Sequence, residues 1–248
     1  MASPSGAHDK SEKAPESFLR LRMHHNLGPS RREFFAPEFF LVVLLAFGLF
    51  SVASIRALFG PLTGRAALLF DDQRVWTLLV YQLSVAPVIM YILWERGWKW
   101  PDFSVKISPR GVLQGLGLAT VAFMLTHAAQ VLTASVAQAH SPALAAVPSA
   151  TGVIPVAGMM IAAIVKAIFE EVLVCGYVVQ SLRGKFGIAL AVNASIALRL
   201  SFHLYQGPGA FLAFAVLGLV FTFFYIRTGR LWPLIVAHAV LEAIALLA

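Results

Sequence analysis

The chain has 248 residues, 59% hydrophobic and 12% charged, with a formal net charge of +7. A water-soluble domain is about half apolar and about a quarter charged, so a mean hydropathy of +0.79 excludes an ordinary soluble enzyme or binding module. The apolar excess gathers in runs of about 20 residues, the length of a bilayer-crossing helix, and predicts an all-α, polytopic transmembrane bundle of about seven spans, with six to eight as the range.

Residues 1–36 are polar, of mixed charge and rich in Ser, Pro and Gly, and read as a disordered or surface-lying cytoplasmic tail. The apolar core of a cleaved signal peptide should begin sooner than it does here. His24 and His25, beside Arg20 and Arg22, read as part of the solvated tail. Residues 37–248 read as one membrane-embedded helical domain, with apolar runs at 38–59, 75–94, 111–137, 154–181, 187–206, 209–227 and 231–247.

Lys and Arg alternate between the loops. The tail is basic, and the second loop holds Arg96, Lys99, Lys106 and Arg110. The stretch 138–153 holds none, and basic residues return at Arg183, Lys185, Arg227 and Arg230. The first loop blurs the pattern by offsetting Arg65 and Arg74 with Asp71 and Asp72. The positive-inside rule then puts the N-terminus in the cytoplasm of a multi-pass protein in the cell's inner or plasma membrane. That bias also accounts for the pI near 9.9, so the expected partner is the lipid bilayer and not nucleic acid. Trp94, Trp98 and Trp100, among charges in "WERGWKWPDF", read as an interfacial aromatic belt. A single cysteine, Cys175, rules out an intramolecular disulfide and a thiolate metal cluster.

Function must then lie in the helices, where an ionisable side chain is costly unless it faces the bundle interior or water. Six such residues stand out in the last four apolar runs: Glu170 and Glu171, Arg199 and His203, and His238 and Glu242. Lys166 and His127 are weaker candidates. Lys166 precedes Glu170 by four residues and can pair with it on one helix face. Adjacent Glu170 and Glu171 diverge by about 100° on an α-helix, so separate partners are expected. Arg199 and His203 are expected on one face, with Ser195 behind and Gln206 ahead, and His238 shares a face with Glu242. Plain structural readings exist for each: a neutralised charge pair, a satisfied core histidine, a His–Glu bond tying down the last helix. Together, carboxylates and imidazoles from several helices can polarise a water beside an oxyanion donor or hold a divalent metal that does the same.

These residues resemble the CAAX protease and bacteriocin-processing (CPBP, or Abi) family of intramembrane proteases, which includes the type II CAAX prenyl endopeptidases. That family carries Glu-Glu-x-x-x-Arg, then Phe-x-x-x-His, then His-x-x-x-Asn/Asp on successive helices. Order and spacing match over about residues 154–248, including "GLVFTFFYIRTGRLWPLIVAHAVLEAI". The resemblance implies an endopeptidase with a catalytic core at 154–248, acting on a peptide or membrane-protein substrate. It makes Glu170 the catalytic carboxylate and His203 its partner in activating water. His238 binds that water or stabilises the oxyanion, Glu242 stands in the Asn/Asp position, and Glu171 supports.

Three positions depart from the pattern. Cys175 stands where the motif has arginine, Arg199 where it has phenylalanine, and Glu242 where it has Asn or Asp. The first two are read as linked, with Arg199 returning the missing charge to pair with Glu171. A carboxylate at 242 cannot donate to an oxyanion unless protonated, and suits a metal ligand or a histidine-orienting role better. The family pattern leaves open whether the cofactor is none or a divalent metal such as zinc on Glu170, His203 and His238. The lack of an H-E-x-x-H helix leans against the metal. Two other readings use the same cavity: a non-catalytic scaffold or bacteriocin-immunity-type protein, and a proton-coupled transporter. The transporter would be better supported by broken helices in two matching halves, which the sequence lacks.

Overall fold

Every regular element among the described residues of the computed structural model is helical. The described residues are 33–59, 72–138 and 156–247. Most of the expected tail, the loop around Arg65 and most of 138–153 lie outside them. We number the helices α1 (Ala36–Val43), α2 (Leu49–Phe59), α3 (Asp72–Glu95), α4 (Pro109–Gln138), α5 (Val156–Glu170), α6 (Gln180–Ser201), α7 (Pro208–Thr228) and α8 (Trp232–Leu247). A π-helical turn, Leu44–Gly48, joins α1 to α2, and a second π-helical segment, Glu171–Val179, joins α5 to α6.

Helix ends follow local chemistry. The Ser108 hydroxyl accepts from Gly111 N at 3.1 Å, and Pro109 opens α4 where its missing N–H costs nothing. Helix α3 closes in a Schellman motif: Gly97 has φ 80°, its N–H reaches Trp94 O at 2.7 Å, and Trp98 N–H reaches Leu93 O at 2.8 Å, the bond pattern that motif requires. Gly187 (φ 82°, ψ 168°) breaks the rod that runs from α5 through α6, at the boundary expected between the fourth and fifth apolar runs. Helix α4 packs on α7 and α8, α5 on α8 and α3, and α6 on α7.

Exposure is inverted relative to a soluble protein. Phe40, Trp94 and Leu113 are 67%, 71% and 71% exposed, while Glu171 and Arg199 are 0% and 1% exposed. Water would penalise those apolar surfaces by about 25 cal/mol per Å², whereas lipid would not. Among the described residues, four helices are long and apolar enough to cross a membrane, within Ala36–Ala57, Val75–Glu95, Pro109–Ser135 and Ala210–Thr228, and Trp232–Leu246 is a shorter apolar helix. The remaining two apolar runs, at 154–181 and 187–206, carry Lys166, Glu170, Glu171 and Arg199, with Arg183 and Lys185 between them. The chain is an all-α, multi-pass membrane protein.

The aromatic belt needs correction at one position. Trp94 and Trp100 are exposed, but Trp98 is 7% exposed, stacks on Phe103 and donates its Nε1–H to Glu38 at 3.2 Å. The Gly97 turn folds it inward.

Candidate active site

Glu170 is the last residue of α5 and Glu171 the first of the π-helical segment, all nine of whose residues are buried. An i→i+5 turn carries more residues per turn than an α-helix and recurs at functional sites. Gly176 lets the segment approach its neighbours: a Cβ there would lie 2.8 Å from Leu231 Cδ1 and 3.2 Å from Phe103 Cδ1. The expectation that the adjacent carboxylates take separate partners fails here. Both turn toward Arg199 of α6 and His238 of α8.

The Arg199 Nη2–H donates to Glu171 Oε1 at 2.8 Å, and His238 Nδ1 lies 2.7 Å from the same oxygen. This is the Arg199–Glu171 pair expected from the exchange at 175 and 199. Cys175 is buried beside it, within reach of both Glu171 and Arg199. Since a carboxylate only accepts, the 2.7 Å contact assigns the proton to His238 Nδ1. In neutral His238, Nε2 is then a lone pair. It faces Glu170 Oε2 at 3.8 Å, and Arg199 Nη1 faces that oxygen at 3.7 Å. Glu170 Oε2 and Arg199 Nη1 are buried without a hydrogen-bond partner. Separations beyond about 3.5 Å between convergent polar atoms suit a bridging water. Such a water would accept from Arg199 and donate to both Glu170 and His238.

On the other side of Glu170, Lys166 Nζ is 3.7 Å from Glu170 Oε1 but 2.6 Å from Glu242 Oε2. The Lys166–Glu170 pair expected one turn apart is present, beside a shorter inter-helix bond from Lys166 to Glu242. The plain reading of a His238–Glu242 bond is corrected: Glu242, although on the helix of His238, bonds Lys166 while His238 bonds Glu171.

His203 makes no hydrogen bond to either glutamate. Helix α6 ends at Ser201 and His203 lies in the turn beyond, so it does not continue the helical face of Arg199. Its ring packs edge-on against Phe214, centroids 3.8 Å apart, and against Phe202 at 4.7 Å. It is buried, its Nδ1 has no partner, and no hydrogen bond joins it to Glu170. It does feel the charges of Lys166, Arg199 and His238. Of the rest of the expected stripe, Ser195 meets Thr222 at 3.2 Å and Gln206 meets Tyr205 at 3.1 Å. His127 is exposed on α4, stacked on Phe123, away from the cluster.

For a metal the fit is poor. No three His, Cys, Asp or Glu side chains among the described residues are placed to share an ion. The Arg199 guanidinium stands beside both carboxylates, where a divalent cation would otherwise supply positive charge. No step below is routed through a metal.

Sequence reasoning missed a second polar node, around Glu38. Glu38 Oε1 accepts from Tyr177 Oη at 3.1 Å and Trp98 Nε1 at 3.2 Å, and its Oε2 accepts from Arg96 Nε at 3.0 Å. The signal was available: an acidic residue in the first turn of an apolar helix needs partners.

Residues 152–244 match the family model described as type II CAAX prenyl endopeptidase Rce1-like. No curated protein and no solved structure matches the chain.

Proposed function

We propose, from the premise that residues 152–244 carry an Rce1-like type II CAAX prenyl endopeptidase domain, that the chain is an intramembrane endopeptidase. The reading rests on one observation above others. Glu170 Oε2 is buried and unpaired, with Arg199 Nη1 at 3.7 Å and the His238 Nε2 lone pair at 3.8 Å. A water bound there has both protons engaged by acceptors, which raises electron density on the oxygen that must attack. Glu170 takes one proton as that oxygen bonds to the scissile carbonyl carbon. It returns the proton to the leaving amine as the tetrahedral intermediate collapses. Glu171 holds Arg199 and His238 in place. His203, with Nδ1 unpartnered, is the donor left for the carbonyl oxygen. The mechanism is glutamate-type, and the substrate is a peptide or membrane protein. The charge bias of the loops supports a cytoplasmic N-terminus in the cell membrane.

The packing of His203 against Phe202 and Phe214, without a bond to Glu170, favours a second reading: a non-catalytic protein that binds a peptide or lipid tail through the same residues. One experiment separates the two. The full chain, reconstituted in liposomes, is given a quenched fluorescent peptide carrying a prenylated C-terminal CAAX box. Hydrolysis by the wild type, lost in Glu170→Gln and His238→Ala at unchanged yield, supports the protease. No hydrolysis by the wild type, or full hydrolysis by Glu170→Gln, rejects it.

A further inference from the structure

We infer that Lys166, held by Glu242, is a positioning residue for Glu170, and that this ion pair between α5 and α8 decides which oxygen of the Glu170 carboxylate is offered to water. The inference deepens the hydrolytic reading and rests on it.

The geometry brackets Glu170 between two cations, one on each oxygen. Lys166 faces Oε1 at 3.7 Å and Arg199 Nη1 faces Oε2 at 3.7 Å. The brackets differ in kind. Arg199 is anchored by its 2.8 Å bond to Glu171, and Lys166 by its 2.6 Å bond to Glu242. A lysine ammonium is a point charge on a flexible stem. Four residues before Glu170 on the same helix, it would close the remaining distance and form a direct charge-assisted bond if nothing else held it. That bond would turn the carboxylate along α5, away from Arg199 and His238. Glu242 keeps the ammonium back, so it draws Oε1 by charge alone and Oε2 stays aimed at the water position.

Helix α8 performs both tasks with residues one turn apart. His238 faces the water, and Glu242 anchors the lysine that orients the base. A carboxylate at 242 therefore acts through its charge on Lys166, a task that a neutral Asn could not perform. The pair lies on the more open flank of the cluster: the Lys166 and Glu242 side chains are 15% and 23% exposed, against 4% for Glu170. Substitution there is accordingly better tolerated by the fold than substitution at Glu171 or Arg199.

The test uses the full chain in liposomes with the same prenylated reporter. Lys166→Met and Glu242→Gln should each lower kcat by roughly tenfold to a hundredfold, the scale of a misplaced catalytic group, with little change in KM. Lys166→Arg, which keeps the charge and the bond to Glu242, should keep most of the activity. The double variant Lys166→Met/Glu242→Gln should lose less than the product of the two single losses, because the freed lysine and the unpaired carboxylate disappear together. If Glu242→Gln fails to fold, the comparison of Lys166→Met with Lys166→Arg still decides, and if Lys166→Met fails to fold, the kcat of Glu242→Gln decides. The inference falls if Glu170→Gln is inactive while Lys166→Met and Glu242→Gln turn over at the wild-type kcat. It falls equally if the double loss equals the product of the singles, or if Lys166→Arg is as impaired as Lys166→Met. If Glu170→Gln cleaves normally, the hydrolytic reading fails first and takes this inference with it.

Discussion

Arg199 Nη2 and Glu171 Oε1 stand 2.8 Å apart, with side chains 1% and 0% exposed, and no other ion pair among the described residues is so fully enclosed. Removing one member of such a pair leaves a buried charge without its counter-charge, at a cost of about 3–5 kcal/mol, whereas removing both is far cheaper. Arg199→Ala should therefore lower the melting temperature in detergent sharply, and Arg199→Ala/Glu171→Ala should recover much of the loss. The recovery stays incomplete, because His238 also loses its 2.7 Å partner. Equal melting temperatures for Arg199→Ala and the wild type would refute the pairing.

Cys175 and Arg199 also make a combined exchange informative. Cys175 is fully buried beside Glu171 and Arg199, so one cation can serve Glu171 from either helix. Cys175→Arg alone adds volume and a second charge to a filled site, and Arg199→Phe alone strips Glu171 of its cation. The double variant Cys175→Arg/Arg199→Phe should melt above either single variant. Additive losses in this cycle would mean that positions 175 and 199 are energetically independent.

These pairings mark how far the sequence could be read. Hydropathy alone gives the class and the helix positions, because span length and apolar content are local properties. The break at Gly187 and the cap at Ser108 are local too. The partner choices are not. A His238–Glu242 bond and a Lys166–Glu170 pair are plain readings of the sequence, because each joins residues one turn apart on one helix. The structure keeps the second at 3.7 Å, but it also gives Lys166 a shorter bond to Glu242 and gives His238 one to Glu171 across helix interfaces, and no single-helix rule encodes that register. His203 was expected on the Arg199 face for the same reason, and the end of α6 at Ser201 removed it. The convergence of Glu170 and Glu171 depended on a π-helical segment that the pattern of apolar residues does not announce.

Glu38 offers a stability test outside the hydrogen-bonded candidate site. Its two oxygens tie α1 to Trp98, to Arg96 and to Tyr177 on the π-helical segment. Glu38→Gln removes the charge and replaces one acceptor with a donor, opposing a donor already there. The expected cost is about 1–3 kcal/mol, seen as a lower melting temperature in detergent. Turnover of the folded fraction at saturating reporter should be unchanged, because Glu38 bonds Arg96, Trp98 and Tyr177 and none of Glu170, Glu171, Arg199 or His238. A fall in kcat without a fall in melting temperature would show instead that this node communicates with Glu170.

Membrane orientation can be tested with cysteines at two exposed positions, because the native Cys175 is 0% exposed and should stay silent to a membrane-impermeant maleimide. Phe59, at the end of α2, is 83% exposed, and Lys99, just past α3, is exposed. One candidate span, Val75–Glu95, separates them, so they must face opposite sides whatever the orientation. Which side each faces follows from charge. Lys99 lies among Arg96, Lys106 and Arg110, whose translocation the positive-inside rule disfavours. In intact cells Phe59→Cys should label at once and Lys99→Cys only after permeabilisation. Labelling of both from one side would remove α3 from the membrane-crossing set. The reversed pattern would place the N-terminus outside and invert the face from which a substrate reaches Glu170.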